Sequence, residues 1–216
     1  MVKAVIFDLD GTLLNTLDDL ADSVNHTMRH FELPEKTVDE VRRSVGNGGR
    51  KLMERVIPGG NSHPRFEEIL AYYTPYYQSH CRIKTAPYDG IMGLLRRLKQ
   101  QGIASAIVSN KGDGAVQELY RQYFSELVST AVGEREAQGI RKKPCPDTVL
   151  EAVKRIGCSV REAVYVGDSE VDAQTALAAD MRCVLVSWGF RDRPELEALQ
   201  PDALIDSPEE LLKLNL

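Results

Sequence analysis

Short β-branched apolar runs alternate with stretches of helical periodicity along most of the chain. Val2-Lys3-Ala4-Val5-Ile6-Phe7 is apolar, brief and followed by a turn signal, so it reads as a buried strand. The period then changes. Residues 16–31 place Leu17, Leu20, Ala21, Val24 and Met28 at helical spacing, and Leu33-Pro34-Glu35 breaks the pattern. Thr37-Val38-Asp39-Glu40 is a capping-box sequence that opens a second helix. Residues 46–49 form a glycine loop, residues 50–57 read helical until Pro58-Gly59-Gly60, and residues 66–82 form a last helix that Pro75 is placed to kink. Tyr72, Tyr73, Tyr76 and Tyr77 on that helix read as packing residues. No strand pattern interrupts residues 16–82.

From Ala86 onward, helical and strand patterns alternate. Strands are predicted to end near Val108, Val132, Val166 and Val186, with a short edge strand at residues 203–205. Helices are predicted at residues 90–101, 110–124, 147–156 and 169–179, and after Ser207-Pro208. Ala178-Ala179-Asp180 closes one of these helices, which puts an aspartate at the left-handed cap position. This alternation predicts an α/β fold, a doubly wound parallel sheet with a small all-helical cap inserted after the first strand. The expected division is a core of residues 1–15 and 84–216 and a cap of residues 16–83.

The chemistry lies at the strand ends. Asp8-Leu9-Asp10-Gly11-Thr12 closes the first strand with two carboxylates whose side chains share one side of an extended segment. Like charges so close are costly to bury, and a bound cation removes that cost. Gly11 allows a sharp turn, and the Thr12 hydroxyl can cap a helix. Asp-Gly at a strand end is also an ordinary turn, but the arrangement recurs. Ala163-Val164-Tyr165-Val166 runs into Gly167-Asp168-Ser169, with Asp172 one helical turn further on. Parallel α/β sheets place sites at the carboxyl ends of strands, so the two acidic ends can converge on one hard cation such as Mg²⁺. A helix N-cap at Asp168 and a solvated helix position at Asp172 are the competing readings. The end of a third strand carries Ser109-Asn110-Lys111, a hydroxyl, an amide and backbone N–H groups suited to an anion. Arg141-Lys142-Lys143-Pro144 precedes a helical stretch, which makes Lys143 a candidate to neutralise phosphate charge.

Composition narrows the class. A length of 216 residues with net charge −5 supplies ample core and disfavours nucleic acid as a partner. No apolar run reaches membrane-spanning length and no apolar leader opens the chain, so neither membrane nor secretion is expected. Cys81, Cys145, Cys158 and Cys183 are scattered, which fits reduced thiols and a cytoplasmic protein. His26 and His30 stand one helical turn apart without a third soft ligand nearby and read as ordinary helix residues. Monomer and homodimer are both compatible.

Asp8-Leu9-Asp10-Gly11-Thr12, Ser109-Asn110, Lys143-Pro144 and Gly167-Asp168-Ser169 with Asp172 resemble, in order and spacing, the four motifs of the haloacid dehalogenase-like hydrolases. Val45-Gly46-Asn47-Gly48-Gly49, Ser109-Asn110-Lys111 and Ala203-Leu204-Ile205-Asp206-Ser207 extend the resemblance to the phosphoglycolate phosphatase group. The resemblance implies a phosphomonoester phosphatase acting on a small phosphorylated metabolite through an aspartyl-phosphate. Asp8 is then the nucleophile, and Asp10 the acid that protonates the leaving alcohol and afterwards the base that activates water. Mg²⁺ is held by the Asp8 carboxylate, the Asp10 carbonyl and Asp168. Thr12, Ser109, Asn110 and Lys143 bind the phosphoryl group, while Asp172 and Ser169 support the site from behind. In the cap, Asn47, Gly48 and Arg50 are expected to touch the substrate, with Arg50 gripping the substrate carboxylate in a two-pronged contact. A sugar-phosphate mutase, a pyrophosphatase or a nucleotidase would share the core residues. A phospho-accepting signalling module would need no cap.

Overall fold

The computed structural model describes residues 2–214. Strand β1 (Ala4–Phe7) is wholly buried, and a short β2 (Leu14–Asn15) follows it. Four helices come next: α1 (Leu17–His30), α2 (Val38–Ser44), α3 (Gly49–Val56) and α4 (Phe66–His80). Thr37 and Glu40 close the expected capping box at the start of α2, and α4 carries Pro75 in its interior without being broken. The chain returns through β3 (Ala86–Pro87), which pairs antiparallel with β2. That pair was not expected, because two residues are too few to show a period.

The remainder alternates as expected: α5 (Ile91–Gln100), β4 (Ala104–Gly112), α6 (Asp113–Leu119), β5 (Thr130–Glu134), α7 (Asp147–Ile156), β6 (Ala163–Gly167), α8 (Glu170–Ala178), β7 (Arg182–Val186), α9 (Arg193–Ala198), β8 (Ala203–Ile205) and α10 (Pro208–Leu211). Two boundaries differ from the sequence expectation. Strand β4 continues through Ser109, Asn110 and Lys111 to Gly112, and a π-helical turn (Tyr120–Phe124) follows α6. Helix α9 was not anticipated, although Asp192 and Glu195 form a capping box and a proline stands in its first turn. Asp180 adopts φ 54°, the left-handed conformation its place after α8 requires.

The main sheet has the order β5-β4-β1-β6-β7-β8 and all its strands are parallel. Successive residues of β1 face opposite sides. Val5 and Phe7 pack with α1, α4 and α5, and Ala4 and Ile6 pack with α7 and α8. Each face is therefore a separate apolar layer. The register pairs Phe7 with Ile107 on one side and Val166 on the other, so β1 and β6 end together while β4 runs on beside them. The motifs at Asp8, Ser109 and Asp168 therefore meet along one edge.

Candidate active site

Asp8 leaves β1 at that shared edge and is buried. Lys143, in the loop before α7, reaches across to it. Its Nζ donates to Asp8 Oδ1 at 2.6 Å, to Asp172 Oδ1 at 2.8 Å and to the Tyr165 hydroxyl at 3.0 Å. Burial opposes the charge on Lys143, but the carboxylates of Asp172 and Asp8 outweigh it and hold its pKa above the ordinary lysine value. Asp172 is saturated. Its Oδ1 also accepts from Tyr165 Oη at 2.8 Å, and its Oδ2 accepts from Ser169 Oγ at 2.6 Å and from the Asp168 N–H at 3.2 Å. Burial acts against its charge, but Lys143 and these donors keep its pKa below the usual carboxylate value. Ser169, not Asp168, is the N-cap residue of α8.

Asp168 makes no ion pair among the described residues, and Arg191 acts on it only from a distance. Its Oδ2 accepts from the Phe190 N–H at 2.7 Å and its Oδ1 from Thr12 Oγ1 at 3.5 Å, both neutral donors. Burial, then repulsion from Asp172 and Asp8, raises its pKa well above the ordinary range. Asp8 is pushed up to about 7, by burial first, with Lys143 working against the shift and Asp172 and Asp10 adding to it. Gly11 makes room for this arrangement. At φ 85° it holds a conformation side chains disfavour, and a Cβ there would collide with the Asp168 carboxylate.

These contacts test whether a metal fits. Oxygens of Asp8, Asp168 and Asp172 all lie within 4.8 Å of one another. Asp172 already accepts four hydrogen bonds, whereas Asp8 and Asp168 keep acceptor capacity and carry charge that burial penalises. Paired carboxylates of this kind suit a hard divalent cation, with Asp172 acting through its grip on Lys143.

The other expected residues divide. Asp10 borders the cavity, and its Oδ1 accepts from Thr16 Oγ1 at 2.7 Å and from Lys111 Nζ at 3.0 Å. Ser109 is buried in the cavity wall and accepts the Lys111 N–H at 3.2 Å, leaving its own proton to donate. Asn110 spends its side chain within the protein. Its Oδ1 accepts the Lys143 N–H at 2.8 Å, and its Nδ2 donates to the Lys143 carbonyl at 3.0 Å and to the Gly46 carbonyl at 3.1 Å. It therefore ties the lysine loop to the cap loop, and its amide is not free for a phosphoryl oxygen. Thr12 turns its hydroxyl to Asp168, and its carbonyl accepts from Trp188 Nε1 at 3.0 Å.

The cavity above this floor measures about 420 Å³. Asn47, Gly48 and Arg50 form part of its wall at the start of α3. Gly48, at φ 86°, brings the cap loop so close to the core that a Cβ would stand 2.9 Å from the Asn110 carbonyl oxygen. The Arg50 guanidinium, however, is already gripped at both prongs by Glu67, at 2.8 and 2.7 Å. The two-pronged contact expected with a substrate therefore requires Arg50 to leave Glu67. Asn47 Oδ1 accepts from Arg55 at 2.6 Å.

The sequence reading missed four participants. Thr16 and Lys111 hold Asp10, Tyr165 joins Lys143 to Asp172, and the Phe190 N–H holds Asp168. Only Lys111 carried a signal, through its place after Ser109-Asn110. The tyrosines of α4 split by face. Tyr72 and Tyr76 stack with His30 and His26 at 4.1 and 3.8 Å, while Tyr73 and Tyr77 line the cavity.

Comparison with known proteins places the chain among relatives. The phosphoglycolate phosphatase of Pseudomonas putida (strain KT2440) is 32% identical over 97% of this chain and 78% of its own length. That of Aquifex aeolicus is 30% identical over 99% of this chain and 96% of its own length. A solved structure from Lactobacillus delbrueckii subsp. bulgaricus, provisionally described as a phosphoglycolate phosphatase, superposes with a TM-score of 0.91. It is 35% identical and covers 97% of this chain and 96% of its own. The family model for haloacid dehalogenase-like hydrolase matches residues 5–186, and the chain belongs to that family.

Proposed function

We propose that this hydrolase is a Mg²⁺-dependent phosphatase that removes the phosphoryl group of 2-phosphoglycolate through an aspartyl-phosphate on Asp8. The observation that carries the reading is the buried Lys143 ammonium held between Asp8 and Asp172 on the cavity floor. It leaves Asp8 beside a fixed positive charge, where a phosphoryl group would sit. The names of the relatives supply the substrate.

Asp8 attacks phosphorus with a carboxylate oxygen and needs no base to activate it. Lys143 and the Ser109 hydroxyl neutralise and orient the phosphoryl oxygens, the main demand of phosphoryl transfer. Asp10 gives its proton to the departing alkoxide and then takes one from the water that opens the acyl-phosphate. Thr16 and Lys111 fix the orientation of its carboxylate. Asp172 and Tyr165 hold Lys143 in place, and Ser169 holds Asp172. Asp8, the Asp10 carbonyl and Asp168 would hold the metal, which supplies further positive charge against the transferring group. Thr12 and Phe190 steady Asp168 for that task. Asn110 positions Lys143 through its backbone. Residues 16–83 act as a cap over the site. Its loop at Asn47 and Gly48 closes the cavity, and Arg50 would meet the substrate only on releasing Glu67. The carboxylate network and a net charge of −5 suit a small phosphorylated metabolite better than nucleic acid, and the proposed compartment is the cytoplasm.

The test is release of inorganic phosphate from a panel containing 2-phosphoglycolate, hexose phosphates, nucleotides and pyrophosphate, with and without Mg²⁺. The expected result is a kcat/KM for 2-phosphoglycolate at least about tenfold above the others, a difference near 1.4 kcal/mol, and dependence on the metal. Conversion of a hexose phosphate to its isomer without phosphate release would move the assignment to a mutase.

A further inference from the structure

Five cations line the cavity, and each is paired with a carboxylate. Lys143 lies between Asp8 and Asp172, Arg50 is gripped by Glu67, Lys142 meets Glu136 at 3.0 Å, and Arg191 holds Glu170 and the Val45 carbonyl. Lys111 is buried as Lys143 is, but its ammonium is less fully used. Its side chain is 5% exposed, and its two partners are Asp10 Oδ1 and the Tyr77 hydroxyl, which leaves one of the three ammonium donors unassigned. A buried cation with a spare donor on a cavity wall attracts an anion more strongly than an exposed one.

A second, independent observation lies beside it. The Tyr73 hydroxyl is buried, on a residue 2% exposed, and has no hydrogen-bond partner. Buried hydroxyls are nearly always satisfied, so an orphan on a cavity wall marks a group the protein leaves for something else. Tyr73 stands one turn before Tyr77 on α4, and the two rings stack at 5.7 Å. On its other side Tyr73 packs against Gly49, at the start of α3, where no side chain caps the backbone N–H groups. Burial, reinforced by Tyr77, raises the Tyr73 pKa well above the ordinary phenol value, so at neutral pH it is a neutral donor.

We propose that the Tyr73 hydroxyl and the Lys111 ammonium form the subsite that receives the carboxylate of the substrate. The subsite deepens the phosphoglycolate reading and rests on it. It gives the second anion of a short phosphorylated carboxylic acid two buried donors, and it sets the leaving alcohol next to Asp10, which Lys111 also touches. Specificity then comes from α4 and from β4, and Arg50 keeps its partner Glu67.

The experiment compares kcat/KM on 2-phosphoglycolate with that on 2-hydroxyethyl phosphate, which replaces the carboxylate by a neutral alcohol. It uses wild type, Tyr73→Phe, Lys111→Gln and Arg50→Ala, each with thermal melting. Tyr73→Phe is expected to lose about tenfold or more on 2-phosphoglycolate, as for a hydrogen bond to a charged group, and to change less than about twofold on the neutral ester. Lys111→Gln slows both substrates because it touches Asp10, with a further selective loss of about tenfold or more on 2-phosphoglycolate. Arg50→Ala leaves the ratio between the substrates unchanged. Without ligand, Tyr73→Phe should melt at or above the wild-type temperature, because it deletes a hydroxyl that bonds to nothing. Equal losses on both substrates, no loss on either, or a clear drop in melting temperature overturn the subsite. A selective loss in Arg50→Ala alone overturns it in favour of the cap arginine. If wild type itself shows no preference for 2-phosphoglycolate, the substrate reading falls and the subsite with it. If that preference exists and survives Tyr73→Phe, only the subsite falls.

Discussion

At the floor of the cavity, Lys143 is buried and bonded to Asp8, and behind them Asp172 and Tyr165 bond to Lys143 and to each other. On the cap side, the charges belong to an ion pair, Arg50 with Glu67, whose side chains are 55% and 73% exposed. The floor cannot rearrange cheaply, because removing Lys143 leaves Asp8 and Asp172 buried without their cation. The cap-side pair can rearrange freely, because water replaces whichever partner is lost. In the proposed mechanism, the groups that meet the reacting phosphorus at fixed distances are those of the floor. The cavity's unused valence, the Tyr73 hydroxyl and one donor of Lys111, lies between these two regimes, buried but incompletely paired. In the proposed reading, catalytic precision and substrate choice draw on different physics within one pocket.

The sharpest way to break this contrast is at the proposed nucleophile. Asp8→Asn keeps the shape of the floor and removes the attacking oxyanion, so turnover should fall by roughly 10³-fold or more while the fold survives. Residual activity within about tenfold of wild type, a barrier change near 1.4 kcal/mol, would rule out a covalent mechanism on Asp8. The next effect separates the metal from proton transfer. Asp168→Ala should lose activity that high Mg²⁺ partly restores, because metal affinity is what it weakens. Asp10→Asn keeps its carbonyl and should not respond to added Mg²⁺. Equal rescue of the two in a Mg²⁺ titration would mean their roles are exchanged.

Lys143→Met probes the floor as structure. It leaves Asp8 and Asp172 buried with no cation between them, which should cost about 3–5 kcal/mol of stability in the metal-free protein. A denaturant melt showing less than about 1 kcal/mol would mean the floor relaxes as easily as an exposed ion pair.

A smaller effect follows from the raised Asp8 pKa. In the metal-free fold it stands at about 7 against 3.8 when unperturbed. A carboxyl whose pKa is raised by folding contributes stability that is present below the lower value and lost as pH rises through the higher one. A cation that binds the deprotonated form offsets that loss. Saturating Mg²⁺ should therefore raise the melting temperature more at pH 8 than at pH 5. An increment that is flat or inverted across that range would show that protons and metal do not compete for Asp8. The smallest effect belongs to the cap. Arg50→Ala opens an exposed ion pair worth at most about 1 kcal/mol and should shift the melting temperature by no more than about 4 °C.

The motifs at Asp8, Asp10 and Asp168 were legible because a carboxylate at the end of an apolar run violates local expectation and so announces itself. Ser109 and Lys143 became legible only in combination with them. The alternating sheet and the helical insert followed from the change of period at Thr16 and again after Arg82. Elements whose signal was short or polar were hidden. The β2 and β3 pair is two residues per strand, and the last part of β4 is polar yet buried, so its apolar run looked finished at Val108. Helix α9 did have an N-terminal signature in Asp192 and Glu195, but six residues hold too little periodicity to display a face.

What the chain determined by itself was the order of strands and helices and the carboxylates at their ends, because period and strand-end chemistry are local properties. Which partner each polar group takes was decided only by the tertiary structure. Lys143 meets Asp8 across 135 positions, Thr12 meets Asp168 across 156, and Asn110 turns to the Lys143 backbone instead of the cavity. Arg50 finds Glu67 on the next helix, and the Tyr73 hydroxyl finds nothing. Pairing depends on which side chains the packed layers bring within about 3 Å, a distance that spacing along the sequence does not encode.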